Sequence, residues 1–345
     1  MKLLVEFSHP AQVHKFKHVL KSLMDKEYQV LILARKKDVM IELLEYFNLP
    51  YICISRAGMN RMSMAFELIL REVRTLWQAL RFKPDCMLSA HSVAITHIGW
   101  LLGIPRVVHD DTEHASLQQR LYMPFATHIV TSSAYSKNWG NRQVRINSIE
   151  PLAYLHPDHF SPDPTVLLRY GLDMEIPYAV VRFIAWQAAH DIGYKVDSKE
   201  ERGNLIDKVL DAGAEKVVLS CEGFDYRINQ QRVIKVCPED FHHVLAFSRL
   251  CISEGGSVAN ESAVLGIPTV LVNPQQAGLF NELERYGLLV HALTMDEAID
   301  KGLKLWNDSF AIERCKQARK RILNEKVNMA KALTEFLINF LENKC

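Results

Sequence analysis

At 345 residues, with 48% hydrophobic residues, a net charge of +1 and seven scattered cysteines, the chain reads as an ordinary globular protein long enough for two domains. The near-neutral charge excludes a global electrostatic case for nucleic acid, and cysteines without a CxxC pair exclude a disulfide framework and a zinc site, fitting reduced cytosolic thiols instead. MKLLVEF enters a strand pattern with no signal peptide, and no apolar run reaches about 18 residues, so nothing is expected to span a membrane.

Strand patterns at 2–7, 28–34, 50–54, 85–89, 105–109 and 127–131 alternate with helical ones near 11–26, 37–47, 62–81 and 92–102. This alternation predicts a parallel sheet with helices on both faces, and it directs the search for ligands to the loops at the strands' carboxyl ends. The first such loop, SHPAQVH, feeds a helix that carries Lys15, Lys17 and His18. It offers either a helix N-terminus to a substrate, with His9 or His14 carrying a proton, or a turn and cap with surface histidines.

Residues 56–83 hold six basic residues against two Glu, interleaved with Met59, Met62, Met64, Phe66, Leu70, Leu76 and Trp77. That composition fits a helix resting on an anionic membrane surface or lipid carrier; it also fits one that packs its apolar face on the sheet. The strand 84–89 runs into Ala90-His91-Ser92, and the strand 106–108 into HDDTEH. Asp110, Asp111, Glu113 and His114, beside His109, form a dense group of ionisable side chains. Close carboxylates perturb one another and can leave one poised as a base. Metal ligation is the rival, without an HExxH spacing to support it, and a structural loop whose acids cap the next helix is the third reading.

The proline- and histidine-rich stretch 140–175 has no period and marks a crossing between domains. The expected division is 1–155, 156–325, and a helix at 326–345 closing the fold. The second half resumes the alternation, with strands at 178–182, 215–220, 232–236, 250–253, 268–272 and 288–291 and helices near 200–212, 239–248, 257–265, 279–286 and 294–305. Its central stretch, LCISEGGSVANESAVLGIPTVLVN, reads as strand, glycine turn, helix, strand. Gly255, Gly256 and Ser257 would let a diphosphate meet a helix N-terminus, and the Glu261 carboxylate would accept from a ribose diol. Arg182, at the end of the first strand, would neutralise the diphosphate or make a surface ion pair. Phe241, opening a helix, would border a base. Beyond residue 310 one or two amphipathic helices follow. GxxxxGK[ST], GxGxxG and GxSxG are absent, which disfavours P-loop transfer, the usual NAD fingerprint and a serine elbow.

Two doubly wound halves with this turn resemble the GT-B fold of nucleotide-sugar glycosyltransferases, Rossmann-like domains facing across a cleft. EGGSVANESAVLGIP is similar to the donor motif of the peptidoglycan GlcNAc transferase, and the layout also resembles the non-hydrolysing UDP-GlcNAc 2-epimerases. SHPAQVHKF, HDDTEHA, the Arg182 strand and FHHVLAFSRLCISEGGSVANESAVLGIP together resemble a full-length domain-of-unknown-function family of the same group. The resemblance implies Gly255, Gly256 and Ser257 on diphosphate, Glu261 on ribose, Arg182 on phosphate charge, and residues 110–114 toward acceptor or sugar. The chain departs from the epimerases at Ala90-His91, where they carry Gly-Asp. The expected function is a glycosyltransferase working without metal or cofactor on a nucleotide-sugar, a UDP-sugar foremost, and a sugar or lipid-linked acceptor in surface-polysaccharide assembly. It would be cytoplasmic, with possible membrane contact through residues 56–83. The alternatives are a UDP-sugar 2-epimerase-like enzyme and an inactive nucleotide-sugar-binding protein.

Overall fold

The computed structural model describes residues 1–58, 61–185, 197–221 and 231–342, without the Arg61 side chain. Met59, singled out in the sequence, lies outside the described residues. The chain divides into two compact units, Met1–His159 with Val327–Cys345, and Phe160–Lys326.

In the first unit the elements run β1 (Lys2–Phe7), α1 (Pro10–Asp25), β2 (Gln29–Lys36), α2 (Met40–Tyr46), β3 (Tyr51–Arg56), α3 (Arg61–Phe82), β4 (Cys86–Ser89), α4 (Val93–Leu101), β5 (Arg106–His109), α5 (Ser116–Tyr122), β6 (His128–Ser132) and β7 (Gln143–Ile146). All seven strands pair in parallel in the order β3-β2-β1-β4-β5-β6-β7. Central strands covered on both faces need continuous apolar runs, and Leu3, Leu4, Val5 and Phe7 of β1 are fully buried. Pro10 at the first turn of α1 and a capping box between His9 and Gln12 set where that helix begins.

The second unit runs β8 (Tyr178–Phe183), α6 (Lys199–Asp211), β9 (Lys216–Cys221), β10 (Val233–Ile234), α7 (Phe241–Leu245), β11 (Leu250–Ser253), α8 (Gly256–Leu265), β12 (Thr269–Val272), α9 (Gly278–Tyr286), β13 (Val290–Ala292), α10 (Met295–Asn307) and α11 (Ala311–Glu325). Its parallel sheet is ordered β10-β9-β8-β11-β12-β13. α8 ends where Gly266 takes φ +81°, a left-handed cap that costs a glycine little. The chain then returns to the first unit as α12 (Met329–Glu342).

Both sheets reverse their strand order once, between β1 and β4 and between β8 and β11. Ligands of open parallel sheets bind at such a reversal, outside the carboxyl ends of the strands. In these sheets that means the loops after Phe7, Ser89, Phe183 and Ser253. Among the described residues no helix is long and apolar enough to cross a membrane.

Candidate functional site

In the first unit the loops after β1, β4 and β5 gather one polar cluster. Gln12 accepts from the Ser8 and His9 backbone N–H groups at 2.7 and 3.1 Å and donates to the Ala90 carbonyl, so the first two loops are tied together. His91 sits at φ +64°, a left-handed conformation unusual for a residue with a Cβ. There its Nε2 lies 3.0 Å from Asp110 Oδ1 and 3.2 Å from Asp111 Oδ1. Asp111 also pairs with Lys15 from α1.

Asp110 is fully buried. Tyr135 and Gln119 donate to its Oδ2 at 2.6 and 2.9 Å, and the Thr112 N–H to its Oδ1 at 3.1 Å. Burial pushes this carboxyl upward, but the bonds from His91, Tyr135 and Thr112 outweigh it and hold the group below the usual carboxylate range. Asp110 is therefore a fixed anion beside a half-buried imidazole. Nε2 of His91 also lies 3.3 Å from the Asp111 backbone N–H, a bond it accepts only when unprotonated; in the Nε2–H tautomer it donates to Asp110 instead, and Nδ1 is the ring's acceptor. The ligand atoms of His91, Asp110 and Asp111 lie within 4.8 Å of one another, close enough to share a cation, and Lys15 already brings one positive charge to them.

The remaining candidates of this unit have other contacts. His9 caps α1, with Nδ1 accepting from the Ala11 N–H at 3.3 Å. His14 packs between the Phe47 and Tyr154 rings at 5.5 and 5.6 Å. Glu113 is buried and accepts from the backbone N–H and the hydroxyl of Ser136. His114 is half-buried in the same loop. A buried network escaped the sequence reading: Arg71 on α3 donates to Glu6 of β1 at 2.7 Å, and Ser92, which caps α4, donates to the same carboxylate at 2.5 Å. His91, named in the sequence only as part of the Ala90-His91-Ser92 loop, also escaped it as a catalytic candidate.

In the second unit the turn between β11 and α8 is braced from three sides. Glu254 is buried against Arg202 of α6, with Nε–Oε1 and Nη2–Oε2 both 2.7 Å, and accepts from the Ile184 N–H at 2.9 Å. Asn273, just after β12, donates to the Glu254 carbonyl at 3.0 Å. Ser253 Oγ accepts from the Gly255 N–H and donates to the Gly255 carbonyl. A Cβ on Gly256 would stand 2.7 Å from the Phe280 ring, so this position is closed to any side chain by α9 itself.

The first turn of α8 carries exposed Ser257, and Glu261 lies in the second turn, buried, 3.3 Å from His242 Nε2. Phe241 opens α7 next to that histidine and is half-buried. Arg182 is paired in register with Ser253 and donates to Ser220 Oγ at 2.8 Å. Arg182, Gly255, Gly256, Ser257, Phe241 and Glu261 thus belong to neighbouring elements of one unit. The arrangement presents backbone N–H groups and the positive end of a ten-residue helix beside an arginine, a carboxylate and an aromatic ring.

The comparisons with known proteins agree on the architecture, two parallel-sheet α/β units of the GT-B type. The crystal structure of UDP-GlcNAc 2-epimerase from Neisseria meningitidis bound to UDP-GlcNAc matches with a TM-score of 0.74 at 13% identity, over 98% of this chain and 100% of that one. SsfS6, a glycosyltransferase of Streptomyces sp. SF2575, matches with a TM-score of 0.63 at 13% identity, over 96% and 99%. Residues 1–150 match the profile of a family described as protein of unknown function DUF354. The uncharacterized protein MJ0665 of Methanocaldococcus jannaschii is 22% identical over 86% of this chain and 89% of its own length. The chain is therefore similar in fold both to nucleotide-sugar epimerases and to glycosyltransferases.

Proposed function

We propose that the protein is a metal-independent glycosyltransferase using a nucleotide-diphospho-sugar, a UDP-sugar foremost, with a sugar or lipid-linked sugar as acceptor in surface-polysaccharide or glycoconjugate assembly. In this reading it works in the cytoplasm, at the inner face of the membrane. The observation that carries the reading is the turn Glu254–Ser257 at the strand-order reversal of the second unit, ahead of a helix bearing Glu261. The N–H groups of Gly256 and Ser257 and the Arg182 guanidinium would take up the diphosphate charge as the nucleotide departs, a fixed electrostatic role. Glu261, oriented by His242, would accept from the ribose hydroxyls, and Phe241 would border the base.

Proton removal from the acceptor is assigned to His91 backed by Asp110. An imidazole held by a carboxylate is a suitable general base, worth about 10² to 10⁴ in rate. A transferase needs one such base, whereas epimerisation by elimination needs groups on both faces of the sugar. A 2-epimerase-like activity is the second reading, favoured by the TM-score of 0.74 to the Neisseria meningitidis enzyme.

The test is a screen of nucleotides and nucleotide-sugars for thermal stabilisation, in which a ligand at a hundred times its Kd adds about 2.7 kcal/mol. Glu261→Ala should remove that stabilisation while the unliganded protein keeps its fold, and unchanged affinity by calorimetry would remove the ribose assignment. Release of nucleoside diphosphate only with acceptor present supports transfer. A changed sugar without acceptor establishes epimerisation, and binding with no turnover establishes a binding protein.

A further inference from the structure

α3 is built with its amphipathy reversed. Its polar side chains Glu67, Arg71 and Thr75 face inward and are buried, Glu67 held by Arg35 at 2.6 and 2.7 Å and by Ser55 at 2.8 Å, Arg71 by Glu6. Outward it presents Met62, Phe66, Ile69, Val73, Trp77 and Leu80, each between 53 and 86% exposed. Their spacing follows one helical face over the full length of the element. The inward ion pairs fix this orientation, because turning α3 to hide the apolar stripe would strip buried charges of their partners.

The stripe continues onto two further helices. His97 of α4 bonds Glu72 of α3 at 2.7 Å with one ring nitrogen and the Leu121 carbonyl of α5 at 3.0 Å with the other. On the same side of α4, three and four residues on, stand Trp100 and Leu101, and on α5 Leu117 and Leu121; these four are 43 to 67% exposed. Soluble monomers rarely expose a contiguous apolar face of this extent without a partner for it.

Charge identifies the partner. Arg74, Arg81 and Arg120 are the exposed charged side chains that α3, α4 and α5 offer among the described residues, Arg74 donating in part to the Ile54 carbonyl; Lys83 follows directly, and the exposed Asp85 beyond it accepts from the Lys2 N–H. The Arg81 guanidinium lies 4.5 Å from the Trp77 ring centroid, its stem along the stripe and its head at the rim. The acid Glu72 is committed to His97. An apolar face with indoles and a cationic rim complements a lipid surface with anionic headgroups. A second copy fits worse, because a two-fold pairing brings the same patch to itself and sets cations against cations.

We propose that the α3–α4–α5 face docks the protein on an anionic membrane surface, inserting the six-residue stripe of α3 among the acyl chains. This gives the lipid-linked acceptor of the proposed reaction a physical location. It shares no residue with the donor assignment, so either can fail without the other. The full-length protein should sediment at low salt with phosphatidylcholine vesicles containing phosphatidylglycerol and hardly at all with phosphatidylcholine alone. Arg74→Gln and Arg81→Gln should each weaken binding roughly fivefold. Phe66→Ser with Trp77→Ser should abolish binding without moving the melting temperature, since both side chains are exposed. On the native chain, brominated lipid should quench the fluorescence of Trp77 and Trp100, a signal lost in Trp77→Phe with Trp100→Phe. Failure to sediment with anionic vesicles, or binding unaffected by Phe66→Ser with Trp77→Ser, overturns the proposal. So does a dimer in sedimentation velocity that the same double substitution dissolves, since a second copy would then cover the face.

Discussion

His18 lies half-buried on α1 with its ring stacked on that of His159, 4.1 Å between centroids. Burial first, then the neighbouring His159, Lys17 and Lys21, lower its pKa from 6.5 to about 3. The folded protein thus keeps this ring neutral, while the unfolded chain takes up a proton near pH 6.5. The stability it contributes is complete above that value and is lost as pH falls toward 3. We expect the urea midpoint to decline between about pH 7 and about pH 4 and His18→Gln to flatten part of that decline; parallel profiles for variant and native protein would refute the assignment. Single residues were legible where their chemistry is local. The density of ionisable groups from Asp110 to His114 is visible in the sequence, although of that run it is Asp110 and Asp111 that meet His91. His91 joins them only because its backbone turns left-handed and the fold sets β4 beside β5, neither of which a sequence displays. Gly256 carries a packing reason beside the proposed ligand one: the Phe280 ring lies where a Cβ would stand, on the side-chain side of a position whose N–H opens α8.

At the scale of elements, the alternation of short β-branched runs with helical periods fixed the fold class, since only a parallel α/β sheet buries strands of that kind on both faces. β7 and α5 went unread. β7 is four residues, QVRI, at a sheet edge where one face needs no apolar side chains, and α5 is a seven-residue helix that starts directly after the polar HDDTEHA segment. Long-range ion pairs were equally hidden, because 52 residues separate Arg202 from Glu254 and 65 separate Arg71 from Glu6. Arg202 of α6 carries a testable consequence for the β11–α8 turn. Arg202→Met leaves a buried carboxylate without its cation and should cost about 3–5 kcal/mol, whereas Arg202→Met with Glu254→Leu should recover much of the loss. Chemical denaturation of the native protein and the two variants measures this. Equal destabilisation by the single and double substitutions would mean that packing, not charge, holds the turn.

At the scale of the whole molecule, α12 fastens the chain's return to the first unit. Met329, Leu333, Leu337 and Leu341 are all buried, and its entry is fastened where Asn328 donates to Asp158 at 3.0 Å and the Val327 N–H to the Asn147 carbonyl. Four such side chains together are worth on the order of 10 kcal/mol, comparable to the entire stability of a domain. Truncation after Lys326 should therefore abolish hydrogen-exchange protection in β1 to β7 while residues 160–326 keep theirs. Retained protection in the first unit would show that α12 is dispensable. The same return of the chain sets an order of events during synthesis. The second unit is one uninterrupted segment and can close as soon as it leaves the ribosome, but the first, although translated earlier, waits with an uncovered surface until all of Phe160–Lys326 has been made. Nascent chains halted between these two points should carry a finished second half and an unfinished first, and they are the species on which cellular chaperones would act.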